Sequence, residues 1–344
     1  GDTPAGQQPF RLLRAVVSGT ERQHEQPITG MGVAGRRLFQ AGADGRVLGF
    51  EPLPHGPLRF VPPELNALAP IVDMKVVESG SPDRILLAIA CKDADLRLYH
   101  VPVRWPPPVG WSSMAAEDGA DPPWVLNTLG GHEAPLRSVD AQGGYVLTAA
   151  EDKMAKVWDV MAGAEVVSLL QPDLVHRASF LPDMMILTSC ADHRVRLWDI
   201  RSGLDHPVVE LQEPNNCTSI AARFDGLLAF GCGDGKVRFH EPLRMERRCV
   251  GKLKLPTAVS SQSFVADGRC LVCAGNDGKV YAVQMPDFVT DALEVQERDD
   301  KLPIRRMWSH TMEDSRTLLT FAFREKGWSF AVLEESLPVA PTNA

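Results

Sequence analysis

No run of 18 uncharged apolar residues occurs anywhere in this 344-residue chain, so no membrane-spanning helix is expected. Basic excess is missing as well. Lys and Arg number 36 against 44 Asp and Glu, a net charge of −8, whereas a general nucleic-acid binder needs a basic face to displace counterions. Direct sequence-specific nucleic-acid binding is therefore not expected, although a local basic patch is compatible with the total. The start, Gly1-Asp2-Thr3-Pro4, has neither a basic stretch nor an apolar core and does not look like a signal peptide. Its missing Met suggests processing or trimming, which could conceal a transit peptide. The expected location is intracellular, in cytoplasm or nucleus.

Chemistry-bearing patterns are equally scarce. The seven cysteines are an odd number scattered among apolar neighbours. That fits small core residues of an intracellular protein better than a disulfide framework. Cys270 and Cys273 have CxxC spacing, but no second CxxC or paired His follows at zinc distance. They also fall in an expected strand, where side chains three apart point to opposite faces. His132-Glu133 lacks the second His of a metalloprotease helix, and neither a Gly-x-Ser-x-Gly elbow nor a phosphate-cradling loop appears. No catalytic residue, cofactor site or metal site is assigned, and an enzyme is not expected.

What the chain does have is a repeat. Asp152-Lys153-Met154-Ala155-Lys156-Val157-Trp158-Asp159 and Asp192-His193-Arg194-Val195-Arg196-Leu197-Trp198-Asp199 superimpose without a gap, 40 residues apart. Each places an Asp-led turn before a short alternating strand that closes on Trp-Asp. Weaker copies begin at Asp44, Asp93, Asp234 and Asp277, and a degenerate one at Glu325. The Asp-Gly pairs among them supply the positive φ that a tight hairpin requires. An apolar strand precedes every copy: Leu38–Ala43, Ile85–Ala90, Tyr145–Ala150, Met185–Ser189, Leu227–Gly231, Cys270–Ala274 and Leu318–Phe323. Consecutive gaps of 40, 42 and 43 residues match four-stranded blades, giving seven units.

On these residues the chain resembles the WD-repeat (WD40) family of β-propellers. The third unit carries the fullest pattern: Gly131-His132, then Thr148, Asp152 and Trp158. The resemblance implies that His132, Thr148, Asp152 and Trp158 form a buried hydrogen-bonded tetrad. The fourth unit keeps Ser189, Asp192 and Trp198 without a Gly-His pair, and the others keep mainly the turn Asp. The expected fold is all-β: a single seven-bladed β-propeller over residues 9–335, with tails at 1–8 and 336–344. The apolar segment Phe10–Val17 is expected to pair as the outer strand of the last blade and close the ring. Pro, Gly and acidic residues fill an insertion of about 102–123 that stretches one gap to 59, expected as a surface loop between the third and fourth strands of blade two. Trp105, Trp111 and Trp124 interleave with its prolines, either as a docking patch or as cover for that blade. The mixed-charge run Glu294–Lys301 reads as a solvated outer loop.

Function is expected to lie in binding: a non-catalytic scaffold or adaptor subunit of a multi-protein complex. Aligning the inner strands places Arg137, His176 and Arg305 at equivalent positions near one mouth of the central channel, with Arg177 and Arg306 next to the latter two. Such a concentration could draw in an acidic or phosphorylated segment. Alternatively, each Arg pairs with a nearby loop carboxylate, and successive residues face opposite ways. The stretch ending Trp198-Asp199-Ile200-Arg201 resembles the Trp-Asp-x-Arg box of cullin-4 ubiquitin-ligase substrate receptors, in which the residue matching Arg201 helps dock the ligase adaptor. A subunit of an RNA-processing or RNA–protein assembly, recruited through protein contacts, is the remaining alternative.

Overall fold

Short alternating apolar runs become strands because the pleat sends successive side chains to opposite faces, each of which can be buried against a neighbouring layer. The computed structural model describes residues 10–15, 24–35, 37–52, 58–77, 84–103, 125–201, 206–213, 217–241, 249–285, 287, 289–294, 303–311, 317–323 and 328–335. The insertion expected at about 102–123 falls almost wholly outside the described residues. So do both tails, Trp105, Trp111, Trp124, the turn at Glu325 and most of Glu294–Lys301. Among the described residues, strands form seven four-stranded sheets.

The chain divides into two units. Strand β1 (Phe10–Ala15) belongs to the second. Ser18–Cys217 with Pro242–Arg247 holds four sheets in chain order. The first comprises β2 (Ile28–Ala34), β3 (Arg37–Gly42), β4 (Arg46–Pro52) and β5 (Leu58–Asn66). The second is β6 (Ile71–Val77), β7 (Arg84–Cys91), β8 (Leu96–Pro102) and β9 (Val125–Leu129). The third is β10 (Leu136–Gln142), β11 (Tyr145–Ala150), β12 (Met154–Asp159) and β13 (Ala164–Leu170). The fourth is β14 (Val175–Leu181), β15 (Met185–Cys190), β16 (Arg194–Asp199) and β17 (Val209–Gln212). Adjacent sheets pack on apolar seams: Phe39, Met74 and Ile89 between the first two, Leu98, Val139 and Trp158 between the next two, and Val157, Ile186 and Trp198 between the last two. Each such side chain contributes roughly 1.5–3 kcal/mol on burial.

The second unit holds three sheets. The first runs β18 (Cys217–Ala222), β19 (Leu228–Cys232), β20 (Lys236–His240) and β21 (Cys249–Lys254). The second runs β22 (Val259–Val265), β23 (Cys270–Gly275), β24 (Lys279–Gln284) and β25 (Val289–Glu294). The third consists of β26 (Ile304–Thr311), β27 (Thr317–Phe323) and β28 (Trp328–Glu335), with β1 as its outer strand. β1 pairs antiparallel with β28 from Phe10 opposite Glu335 to Ala15 opposite Phe330, so the first strand in sequence completes the last sheet. Cys270 and Cys273 fall on β23 and face different seams, the first packing toward Phe321 and the second toward Phe239.

One irregularity recurs. In six sheets the register between the first and second strands skips one residue at the same place: Thr29, Val72, Arg137, His176, Ser260 and Arg305. A β-bulge of this kind takes the extra residue out of the strand-to-strand register and re-aims the side chains around it. In three sheets the side chain of the residue after the skip reaches the next sheet. The Asp73 carboxylate accepts Val139 N–H at 3.3 Å, Ser138 Oγ accepts Ala178 N–H at 3.1 Å, and Ser261 Oγ donates to the Met307 carbonyl at 3.0 Å. In the first sheet that position is Gly30, where an added Cβ would stand 2.7 Å from Met74 Cβ. Close backbone approach there replaces the side-chain stitch.

Candidate functional site

In six sheets the turn between the second and third strands is built around an Asp. In six turns this carboxylate accepts the backbone N–H two residues on, from Arg46, Asp95, Met154, Arg194, Lys236 and Lys279, at 2.9–3.4 Å. Such an Asx turn lets the side chain stand in for a backbone acceptor. The residue after the Asp takes positive φ: 81° at Gly45 and Gly235 and 76° at Gly278, but also 73° at Ala94, 70° at Lys153 and 62° at His193. A Cβ on Gly235 would meet the Thr257 carbonyl oxygen at 2.6 Å, so that turn admits only glycine without a shift.

Each partly buried turn carboxylate needs a further donor, and the sheets find it in different ways. In the third sheet, His132 Nδ1 lies 2.7 Å from Asp152 Oδ2, and His132 Nε2 lies 2.8 Å from Thr148 Oγ1. Trp158 Nε1 donates to the same hydroxyl at 2.8 Å. The donors run one way: indole N–H to hydroxyl, hydroxyl to Nε2, Nδ1–H to carboxylate. The Glu133 N–H adds a bond to Asp152 at 3.0 Å.

In the fourth sheet the hydroxyl that Trp198 Nε1 reaches is Thr188, at 3.0 Å, not Ser189. Thr188 lies four residues before its turn Asp, as Thr148 does. Ser189 Oγ is buried without a hydrogen-bond partner. Gln171 occupies the place corresponding to His132, four residues before the inner strand, and Arg196 binds Asp192 at 2.5 Å. The second sheet likewise closes Asp93 with Arg97, at 2.6 Å. Tyr281 donates to Asp277 at 2.5 Å.

Sequence reasoning missed His24, whose Nδ1 lies 2.9 Å from Asp44. The available signal was spacing: 20 residues separate His24 from Asp44, as they separate His132 from Asp152. No Gly precedes His24, so the Gly-His pattern did not flag it. The carboxyl of Asp44 sits below its ordinary 3.8: burial pushes it up, but His24 and the backbone donors of Arg46 and Glu25 outweigh that. Asp93 and Asp192 are lowered against burial in the same manner, by Arg97 and Arg196 respectively.

Burial holds the His132 imidazole below its ordinary 6.5, and Asp152 opposes this without outweighing it. Between its folded and ordinary values the unfolded chain binds a proton that the folded one refuses. The stabilisation is therefore complete above about pH 6.5 and is lost as pH falls below it. His100, His176 and His310 are lowered in the same direction, burial being the first cause for each. The lowered carboxylates add a second loss only below about pH 3.8. Thermal midpoints are thus expected to decline from pH 7 to pH 5, and His132→Gln to make that slope shallower. An unchanged slope in the variant would mean that His132 binds its proton as readily in the folded protein as in the unfolded chain.

The basic candidate residues other than Arg201 lie on the inner strands. Arg137 occupies the bulge of β10, its Nε 3.3 Å from Glu151 Oε1, with the two side chains 39% and 40% exposed. His176 occupies the bulge of β14, half-buried, and Arg177 follows it opposite Ser189. Lys75 on β6 reaches Asp140 on β10 at 3.1 Å. That carboxylate raises the Lys75 ammonium above its ordinary value, against burial and against the charge of Arg177. The structure thus brings Arg137, His176 and Arg177 onto adjoining inner strands of one unit. Arg305 and Arg306 lie on β26 of the other unit, the first exposed and the second half-buried. Arg201 lies past β16 and is 61% exposed, with its Nε 3.0 Å from Asp199. Among the described residues, no group of three or more His, Cys, Asp or Glu is placed to hold a metal ion. No helix in the described residues is long and apolar enough to cross a membrane.

Residues 124–159 and 169–199 match the family model for the WD domain, G-beta repeat. The chain is 40% identical over 62 residues to 2-deoxy-glucose resistant protein 2 of Saccharomyces cerevisiae, covering 17% of this chain and 7% of that protein. It is 25% identical over 206 residues to the serine-threonine kinase receptor-associated protein of Gallus gallus, covering 59% of this chain and 53% of that one. The matched stretches therefore span about half the length of the chicken protein and far less of the yeast one. Among solved structures, the WD40 β-propeller domain of Doa1 is similar with a TM-score of 0.70 at 17% identity, over 95% of this chain and 98% of that one. Sheet order, turn chemistry and these matches agree: residues 124–159 and 169–199 are WD repeats, in a chain that is similar in fold to a WD40 β-propeller domain.

Proposed function

We propose that this protein is a non-catalytic interaction scaffold within a multi-protein complex, located in cytoplasm or nucleus. In this reading its seven sheets form a single ring, latched by the pairing of β1 with β28, which offers partners a rigid set of loops and bulges. The observation that carries the reading is the repeated bulge. The positions just before the skip, Ile28, Ile71, Leu136, Val175, Val259 and Ile304, are all buried and apolar. The skipped residues, by contrast, are Thr29, Val72, Arg137, His176, Ser260 and Arg305, a chemically varied set on a uniform frame. Packing alone does not call for that variety; recognition does. Side chains held on strands lose little freedom on binding, which favours affinity. The WD40 propeller family is generally non-catalytic, and the close His–Asp–hydroxyl set in the third sheet is spent on holding the turn. The receptor-associated relative, by its own name, attaches to another protein, which supports the same class of role here.

The test is purification of the tagged full-length chain from its native cells, with quantitative mass spectrometry. At least one other protein is expected at near-stoichiometric amounts and resistant to nuclease; recovery of the chain alone would overturn the reading. A second reading, a substrate receptor of a cullin-4-type ligase, has Arg201 in its favour, exposed beside Asp199 beyond the fourth sheet's Trp-Asp pair. Loss of a ligase adaptor from the purification on Arg201→Ala would select it.

A further inference from the structure

Residues 67–72, which lead from β5 into β6, are all apolar, and buried positions alternate with open ones. Ala67, Ala69 and Ile71 are buried. Leu68 and Pro70 are exposed, Leu68 at 86%, and Val72, the bulge residue of β6, is half-buried. An antiparallel sheet ordinarily turns polar residues toward water. The other five bulge residues follow that rule: Thr29, Arg137, His176, Ser260 and Arg305 are all polar. Here alone the open row is apolar.

Leu68 also holds φ 58°, in the left-handed region that a Cβ disfavours. Asn66 Oδ1 fixes it there by accepting its N–H at 2.9 Å, and the Asn66 carbonyl accepts the Tyr99 hydroxyl at 3.2 Å. Loop length does not demand this conformation. Ala67 N–H donates to the Gly45 carbonyl at 2.8 Å, just as Gln171 and Leu255 donate to Lys153 and Gly235. In those two connections the next residue is Pro172 or Pro256, and proline fixes φ at about −65°. Both reach the inner strand in as many residues as Leu68 does. A leucine that is exposed and left-handed gains little packing for its backbone cost, and such an outlier points to a function.

The surround is charged. On the first sheet the flanking turn carries Glu25, Asp44, Arg46 and Glu64, joined in one set of ion pairs. On the second sheet it carries Asp93, Asp95 and Arg97, with Lys92, whose N–H donates to the Pro70 carbonyl at 2.9 Å. Carboxylates outnumber these cations, and they still do if His24, bonded to Asp44, takes a proton. We infer that Leu68, Pro70 and Val72 form a docking site for an amphipathic segment of a partner protein that combines apolar side chains with lysine or arginine. The inference rests on the scaffold reading and names the place and the chemistry by which one partner is held. Leu68 is its anchor, because a backbone already fixed leaves only side-chain freedom to lose on binding.

The probe is a fluorescein-labelled peptide of three Lys-Leu-Leu-Lys repeats, with three Glu-Leu-Leu-Glu repeats as control, titrated with the whole chain by anisotropy at fixed ionic strength. The basic peptide is expected to bind saturably and about tenfold or more tightly than the acidic one. Leu68→Asn is expected to weaken it by about tenfold. Leu68→Met is expected to keep the wild-type affinity, as is Met161→Asn, which alters a similarly exposed apolar side chain elsewhere. Asparagine tolerates the left-handed region, so the urea midpoint of Leu68→Asn is expected at or above that of the wild type. Undiminished affinity in Leu68→Asn, equal affinity for the acidic peptide, or a lowered urea midpoint would overturn the inference. Self-association of the wild type that Leu68→Asn abolishes would assign the row to a second copy of the chain and overturn it too. Any of these results would leave the scaffold reading standing, since that reading fails only if no protein co-purifies.

Discussion

Replacing Trp158 with Ala is expected to lower stability by about 4 kcal/mol, the largest effect of any single truncation in the four-sheet unit. The side chain is almost fully buried in the seam between the second and third sheets, against Leu98, Leu136 and Val139. Removing a large aromatic from such a seam forfeits its transfer free energy and leaves a cavity that the flanking sheets can only partly close. The loss does not end there. Trp158 Nε1 donates to Thr148 Oγ1, and Thr148 connects to His132 and through it to Asp152. Trp158→Phe separates the two parts, because it keeps most of the ring and drops the donor. That variant is expected to cost about 1–2 kcal/mol. Urea midpoints for both check this. A cost below about 2 kcal/mol for Trp158→Ala would show that the seam repacks freely, contrary to close-packed interiors.

Asp152→Ala is expected to cost about 3 kcal/mol, although the deleted group is only a carboxylate on a turn. It strands three donors at once: the His132 imidazole, the Glu133 N–H and the Met154 N–H. Glu133 is exposed and water can replace the lost acceptor there, so the cost falls mainly on His132 and on turn geometry. A second effect identifies the cause. Asp152 is what opposes burial at His132, so its removal drives the folded imidazole further from protonation. The variant is therefore expected to lose stability more steeply below pH 6.5 than the wild type, where His132→Gln loses it less steeply. Equal slopes in the two variants would rule out the coupling. Chemical denaturation at pH 7.5 and 5.5 is sufficient to decide.

Much of this architecture was legible because its signals are chemical and local. Asp at the turn and Trp-Asp at the strand end have few substitutes, and the strands expected before each turn lie within a residue or two of those observed. The tetrad could be read from a single unit because its four residues are themselves the signal. What escaped reading were functions met by unlike residues. Arg97 and Arg196 bind turn carboxylates that His24 and His132 bind elsewhere, and a pattern written for histidine does not register arginine. Ser189 looked like the tetrad hydroxyl because it is adjacent to Thr188, yet only the residue four before the turn Asp meets the indole. The bulge was invisible for a different reason. Strict alternation assigns Arg137 and Ser138 to opposite faces, whereas a skipped residue breaks the period that the assignment depends on. The local pairing of Arg137 with Glu151 was foreseen as an alternative, but only coordinates could choose between it and an unopposed cation.

The role of the bulge end as the partner-binding surface is tested most directly by comparing two surface variants in the native-cell purification. His176→Glu places a negative charge at the bulge of β14. Met161→Glu places one in the turn after β12, at the opposite end of the sheets, on a residue that is 91% exposed. Partner recovered per mole of tagged chain is the quantity to measure. His176→Glu is expected to reduce it by about tenfold or more, which corresponds to about 1.4 kcal/mol of binding, with Met161→Glu unchanged. Full recovery with His176→Glu and loss with Met161→Glu would contradict it.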